Sequence, residues 1–270
     1  MTECIQSSFA LQAHFSREVA ARFDGGAMTS DAGAVLLRET DRRLNLLPRL
    51  AACFVDHRKP WLVSHSIQEM VAQRVYALAL GYEDLSDHDQ LREDPLLAVL
   101  SGKARVGEDP LAGKSTLYRL ELGGETPSRY KKIQYRQEAL DELLIQVFLE
   151  AHGGAPPQIV LDLDTTDLPL EGRFFHGYYD CYCYLPLYIF SGEHLLGARL
   201  RTADQDAAAG SKDEVARIVG RIRAAWPAVR IIVRAGSGFC REELLKWCED
   251  NGVSYVRSQP PQIESSASRN

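Results

Sequence analysis

Gly153-Gly154-Ala155-Pro156-Pro157 is the segment that most restricts how this chain can fold. Consecutive prolines supply no backbone N–H and fix φ, and glycines before them favour a helix end, so neither a helix nor a ladder strand runs through. The chain changes character across it. Before it, apolar residues recur at helical spacing. Ala34, Leu37, Leu44 and Leu47 follow the N-cap candidates Thr29-Ser30-Asp31, and Ser66 with Glu69 forms a capping-box pattern for a helix over 66–80 that Gly81 ends. Helices are also expected over 50–54, from Asp94-Pro95 to Leu100, over 114–122 and, as one long helix, over 128–152. Ahead of these, 1–24 reads as an arm with a short strand at 19–23 and a turn at Asp24-Gly25-Gly26.

After the segment, short apolar runs alternate with helical patterns. Strands are expected at 158–165, 182–190, 194–201, 229–235 and 253–257, with helices over 212–226, stopped by Pro227, and over 239–251. The fold class is therefore mixed α/β, with a helical domain over 1–152, a mixed α/β domain over 158–257 and a Ser-, Gln- and Pro-rich disordered tail over 258–270.

Composition narrows the function classes. Hydrophobic residues make up 45% and charged residues 25%, the usual balance of a globular protein, and no apolar run approaches a membrane span. The N-terminus lacks a basic stretch followed by an apolar core, so a cytoplasmic chain with no membrane partner is expected. None of the six cysteines forms a C-x-x-C, which argues against a zinc ribbon and for reduced thiols. The net charge is −6, yet residues 101–137 hold eight Lys or Arg against four Asp or Glu. That local excess reads either as a solvated face or as an electrostatic footprint for phosphate.

Two motifs carry the chemistry. Ile159-Val160-Leu161-Asp162-Leu163-Asp164-Thr165-Thr166-Asp167 is an apolar run ending in carboxylates. Period-2 alternation puts Asp162 and Asp164 on one face, near the carboxyl end of a strand where ligand sites of α/β sheets collect. They read as metal ligands or as turn caps. Val229 to Phe239 is a second apolar run, and it ends in Gly236-Ser237-Gly238 where a matching carboxylate would complete a two-metal site. Gly113-Lys114-Ser115-Thr116 resembles a phosphate loop only superficially. The required upstream glycine position holds Glu108, Gly107 is one residue too far, and no strand precedes it. Lys114, Ser115, Thr116 and Arg119 read better as the start of a helix suited to DNA backbone contacts, or as an ordinary surface helix. The acidic run 82–89, with His88, reads as a loop with capping aspartates, and the aromatics of 174–188 as strand packing.

Several segments together resemble the DDE transposases of bacterial insertion sequences, in particular the type-1380 group. They are Phe23-Asp24-Gly25-Gly26 through Gly33, Gly81-Tyr82-Glu83-Asp84-Leu85 through Asp89, Leu111 through Leu117, Leu161-Asp162-Leu163-Asp164, Cys183-Tyr184-Leu185-Pro186-Leu187, and Ser237-Gly238-Phe239 through Leu244. The resemblance implies a ribonuclease-H-like catalytic fold with three metal-binding acids and Mg²⁺ or Mn²⁺ as cofactor. The first acid falls on Asp164, with Asp162 beside it; the second falls on Gly236, where it is lost; the third belongs to a helix beyond the point where this sequence ends, at Asn270. The expectation is a truncated, incomplete transposase that is catalytically inactive. Its expected partners are the terminal inverted repeats of its element's DNA and a second copy or an intact transposase. The alternative is a DNA-binding regulator or inhibitor of that intact enzyme.

Overall fold

The computed structural model describes residues 8–14, 16–22, 29–103, 109–123, 126–169, 174–177 and 180–257. The expected turn at 24–26, the glycine at 107 and the tail at 258–270 lie outside the described residues. The chain forms two compact units, Met1–Gln137 and Glu138–Asn270.

The first unit opens with an antiparallel ribbon, β1 (Ser8–His14) and β2 (Arg17–Arg22). Helices α1 (Ala34–Leu44) and α2 (Leu46–Ala51) meet at Asn45, whose left-handed φ of 52° turns the chain between them. Strand β3 (Phe54–Asp56) leads to α3 (Ile67–Ala79), which starts at a complete capping box. Glu69 N–H donates to Ser66 Oγ at 3.1 Å and Ser66 N–H donates to Glu69 Oε2 at 2.8 Å. Short helices α4 (His88–Leu91) and α5 (Pro95–Leu100) follow, the latter capped by Asp94, and then α6 (Lys114–Glu121) and β4 (Ile133–Tyr135). Helix α3 is the centre of this unit. Its Met70 and Val71 pack with Leu117, Leu120 and Ile133, while Ala72 and Tyr76 pack with Leu47, Leu97, Leu100 and Leu111.

Two expectations change. The helix expected over 128–152 is a turn, a strand and a shorter helix. Ser128 and Lys131 close the turn, β4 pairs antiparallel with β3, Phe54 opposite Tyr135, and α7 (Gln137–Glu150) begins only afterwards. Ile133 and Tyr135 alternate as strand residues, and pairing with a distant partner overrides local helix propensity. The helix expected over 50–54 starts earlier, as α2, and gives way to β3 for the same reason.

In the second unit α7 is followed by β5 (Gln158–Thr165), the short strands β6 (Leu168–Pro169), β7 (Phe175–His176) and β8 (Cys181–Tyr184), and the hairpin β9 (Leu187–Ser191) and β10 (His194–Arg199). Then come α8 (Ser211–Ala225), β11 (Arg230–Ala235), α9 (Glu242–Asp250) and β12 (Ser254–Arg257). The strand expected over 182–190 is broken at Leu185-Pro186, since Pro186 has no N–H for a ladder.

The main sheet has the order β10-β9-β5-β11-β12. Strand β9 is antiparallel to both neighbours, whereas β5, β11 and β12 run parallel, so the sheet is mixed, within the α/β class expected from the sequence. One face carries Leu161, Leu163, Ile189, Leu196, Ile231 and Val233. These pack with Ile145 and Phe148 of α7, Ile218 and Ile222 of α8, and Leu244 of α9. Burying each such side chain contributes about 1.5–3 kcal/mol, which makes this face the anchor that sets the strand register.

Candidate functional site

Register decides what meets at the carboxyl ends of the central strands. Asp162 lies opposite Arg234 and Leu163 opposite Ala235, and β5 and β11 are parallel. The next residues along the two chains are Asp164 and Gly236, so these positions sit side by side at the sheet's end. Ile159, Leu161 and Leu163 are buried on the helix-covered face, which sends Asp162 and Asp164 to the other. On that side Asp164 is opposite Tyr188 of β9, and Asp162 is opposite Phe190.

The two carboxylates differ. Asp162 accepts a bidentate pair of hydrogen bonds from Arg234, from Nη2 at 2.8 Å and from Nε. This bond holds the Arg234 guanidinium above its ordinary pKa. Both partners reach solvent, so water screens the pair and it contributes little to stability. Asp164 is exposed at the strand tip. Gly236 is in extended backbone, φ −67° and ψ 167°, at the head of a 3-10 turn over Ser237–Phe239. A Cβ added there would meet nothing within 4 Å.

The donor set is thus one strand's two carboxylates, one of them tied to an arginine, beside a position with no side chain. No cluster of three or more His, Cys, Asp or Glu suited to a metal ion occurs among the described residues. Among the described residues such a set does not fit a two-metal centre, which needs acids from adjacent elements.

A buried arginine organises the loops around this end. Arg201, only 8% exposed, donates to the carbonyls of Leu185 at 3.0 Å, Ala207 at 2.9 Å and Ala209 at 2.7 Å. Burial lowers its pKa. The pinned loop reaches the turn after β11, where the Cβ of Ala207 is 3.5 Å from the position of a Cβ on Gly238. Sequence reasoning passes over Arg201, because nothing in its neighbours marks it as buried.

The second candidate lies in the first unit. Buried Gln73 bridges three elements: its amide donates to Ala112 O at 2.7 Å and to His88 Nδ1 at 3.0 Å, and it accepts from Ala112 N–H at 3.1 Å. That network fixes the start of α6. Leu117 and Leu120 point into the core, so Ser115, Tyr118 and Arg119 face outward. Lys114 pairs with Asp89 at 2.8 Å, a bond that raises the lysine pKa and lowers that of the aspartate.

Lys114, Ser115 and Arg119 line an open groove of about 500 Å³, together with Asp84, Leu85, Ser86, Tyr118, Tyr130 and Lys131. Thr116 is half-buried and is not one of the groove's lining residues. Tyr118, Tyr130 and Lys131 are wall residues that charge counting alone does not reveal. In the run 82–89, Asp84 caps a short turn by accepting from Ser86 N–H at 2.8 Å, and His88 is fully buried.

The family model for the transposase DDE domain, group 1, matches residues 11–259. No curated protein matches. Among solved structures, the catalytic domain of Mos1 mariner transposase is 8% identical over 51% of this chain and 66% of its own, with a TM-score of 0.29. The HTLV-2 integrase catalytic core domain with magnesium, in its trimeric form, is 8% identical over 40% of this chain and 63% of its own, with a TM-score of 0.26. A Mos1 transposase paired-end complex with the left transposon end is 11% identical over 87% of this chain and 61% of its own, with a TM-score of 0.27. The chain therefore spans less than two thirds of the length of each.

Proposed function

This chain belongs to the group 1 transposase DDE-domain family, and from that premise we propose that it is a DNA-binding transposase of the type-1380 group that does not cleave or join DNA. The observation that carries the second half is the pairing of Asp164 with Gly236 at the tips of parallel, hydrogen-bonded strands. Family chemistry needs acids at both tips to hold two divalent ions, which supply the charge stabilisation for attack on a phosphodiester. Asp162 is held by Arg234, which leaves Asp164 as the free ligand for one weakly bound Mg²⁺ or Mn²⁺. The sheet order β10-β9-β5-β11-β12, with its antiparallel and parallel halves, supports the ribonuclease-H-like assignment of residues 158–257.

We assign DNA contact to the region 1–152, through Lys114, Ser115 and Arg119 on the groove, with Thr116 supporting the start of α6. The expected DNA is the terminal inverted repeat of the element, and the expected protein partner is another transposase chain. Gly236 also favours the second reading, a regulator that occupies these ends without processing them, because DNA contact in the first unit does not depend on the acid. Two measurements test the proposal. Metal-dependent nicking by the purified chain that is abolished by Asp164→Ala would overturn inactivity. For binding, the slope of log K against log salt is about −0.9 per neutralised phosphate. Lys114→Ala with Arg119→Ala should weaken binding to all sequences and flatten that slope by about 2; an unchanged slope removes this face.

A further inference from the structure

We propose that the groove beside α6 takes an unpaired nucleotide of a DNA strand, with its base on Tyr118 and Tyr130 and its flanking phosphates on Lys114, Arg119 and Lys131. This deepens the DNA-binding reading above and rests on it. The groove, at about 500 Å³, is within the ~300–1,000 Å³ range of small-molecule sites. Its walls combine two features that a solvated face does not require.

The first is a pair of open aromatic rings in one concavity. Tyr118 is 55% exposed and Tyr130 77% exposed. Tyr118 follows buried Leu117 on α6, so the helix can bury its core stripe only by turning this ring outward. Arg129, which is not one of the groove's lining residues, lies over the Tyr130 ring, 5.6 Å from its centroid. The second feature is charge. Lys114, Arg119 and Lys131 line the groove together with one carboxylate, Asp84, and Lys114 is also paired with Asp89. Among the described residues Arg119 and Lys131 have no ion-pair partner, so both are free for phosphate.

Cations alone would serve any duplex. Exposed rings that share a groove with cations serve a base that has left the stack, because a paired base offers a protein only its edges. The occupant that satisfies both features is an unpaired nucleotide, such as a frayed or overhanging strand end.

The test uses the full chain and three short probes: a blunt duplex, the same duplex with a single-stranded overhang containing 2-aminopurine, and that overhang with abasic sites, which keeps the phosphates. The expected result is quenched 2-aminopurine fluorescence and tighter binding of the base-bearing overhang than of the abasic one. Tyr118→Ala and Tyr130→Ala should each weaken overhang binding by about 5- to 150-fold, leave the blunt duplex unchanged, and have no further effect on the abasic probe. Tyr118→Phe and Tyr130→Phe should restore the affinity, since stacking needs the ring and not the hydroxyl. Equal affinity for base-bearing and abasic overhangs overturns the inference. If Lys114→Ala with Arg119→Ala still weakens the blunt duplex, only base stacking has failed. If that double variant leaves all three probes unchanged, the DNA-binding assignment itself has failed.

Discussion

Replacing Gly236 with aspartate tests whether the strand tips form a disabled metal site. Gly236 has φ −67° and ψ 167°, and an added Cβ meets nothing within 4 Å. The backbone need not move, and loss of glycine's freedom in the unfolded chain should stabilise by about 0.4–1 kcal/mol. The new carboxylate would come beside Asp164, because adjacent strands are ~4.8 Å apart. Two exposed charges ~6 Å apart in water repel by ~0.7 kcal/mol, so the two effects nearly cancel. Without metal, Gly236→Asp should melt within about 3 °C of the parent. A divalent ion bridging the two carboxylates removes the repulsion and adds linkage. At 100-fold above its dissociation constant it stabilises the folded state by ~2.7 kcal/mol, or about 5–10 °C for a chain of this size.

The assay is thermal unfolding followed by circular dichroism at low ionic strength, with Mn²⁺ or Mg²⁺ titrated. Gly236→Asn serves as the uncharged control. The reasoning is refuted if parent and Gly236→Asp show equal metal-induced shifts. It is also refuted if the gain survives adding Asp164→Ala. DNA nicking is not expected from the single substitution, since the resemblance calls for a third acid and none joins Asp162 and Asp164 in a cluster among the described residues.

Two further expectations concern stability. Burial, with Arg74 nearby, holds the His88 imidazole below its ordinary pKa, and its buried Nε2 has no partner among the described residues. The unfolded chain therefore takes up this proton first, near pH ~6.5, so His88 costs stability as pH falls below that value and continues to do so down to its folded pKa. His88→Asn should flatten that part of the urea stability profile, and an unchanged profile would show that His88 is not what titrates. Arg201→Leu removes three hydrogen bonds from a charged donor and should cost about 3 kcal/mol or more; a loss below ~0.5 kcal/mol in urea unfolding would mean that the loop before α8 holds itself.

The parts of the fold that are legible in the sequence are those set locally. The alternation of Ile159, Leu161 and Leu163 marks β5, the capping box at Ser66 marks α3, and the run before Gly236 marks β11. Long-range pairing is not written in any window. Residues 128–136 read as helix because their partner, Phe54–Asp56, lies far away in the chain. The juxtaposition of Asp164 and Gly236 also depends on parallel pairing across α8 and several strands. In the groove, Lys114 and Arg119 announce themselves as charges. Tyr130 and Lys131 join them only because the turn at Ser128–Lys131 brings that wall across from α6, and Asp162's arginine partner emerges only from the register.

On the reading proposed above, in which Gly236 stands where the family has an acid, the empty space there has an evolutionary meaning. Where a lost side chain is followed by collapse, with a neighbour swinging into the gap, return demands several coordinated changes. At Gly236 nothing has moved in, and the backbone keeps a conformation open to any residue. Changing the second base of any glycine codon from G to A gives aspartate or glutamate. A lineage carrying this gene stands one transition away from a carboxylate at that position, with no structural obstacle to returning.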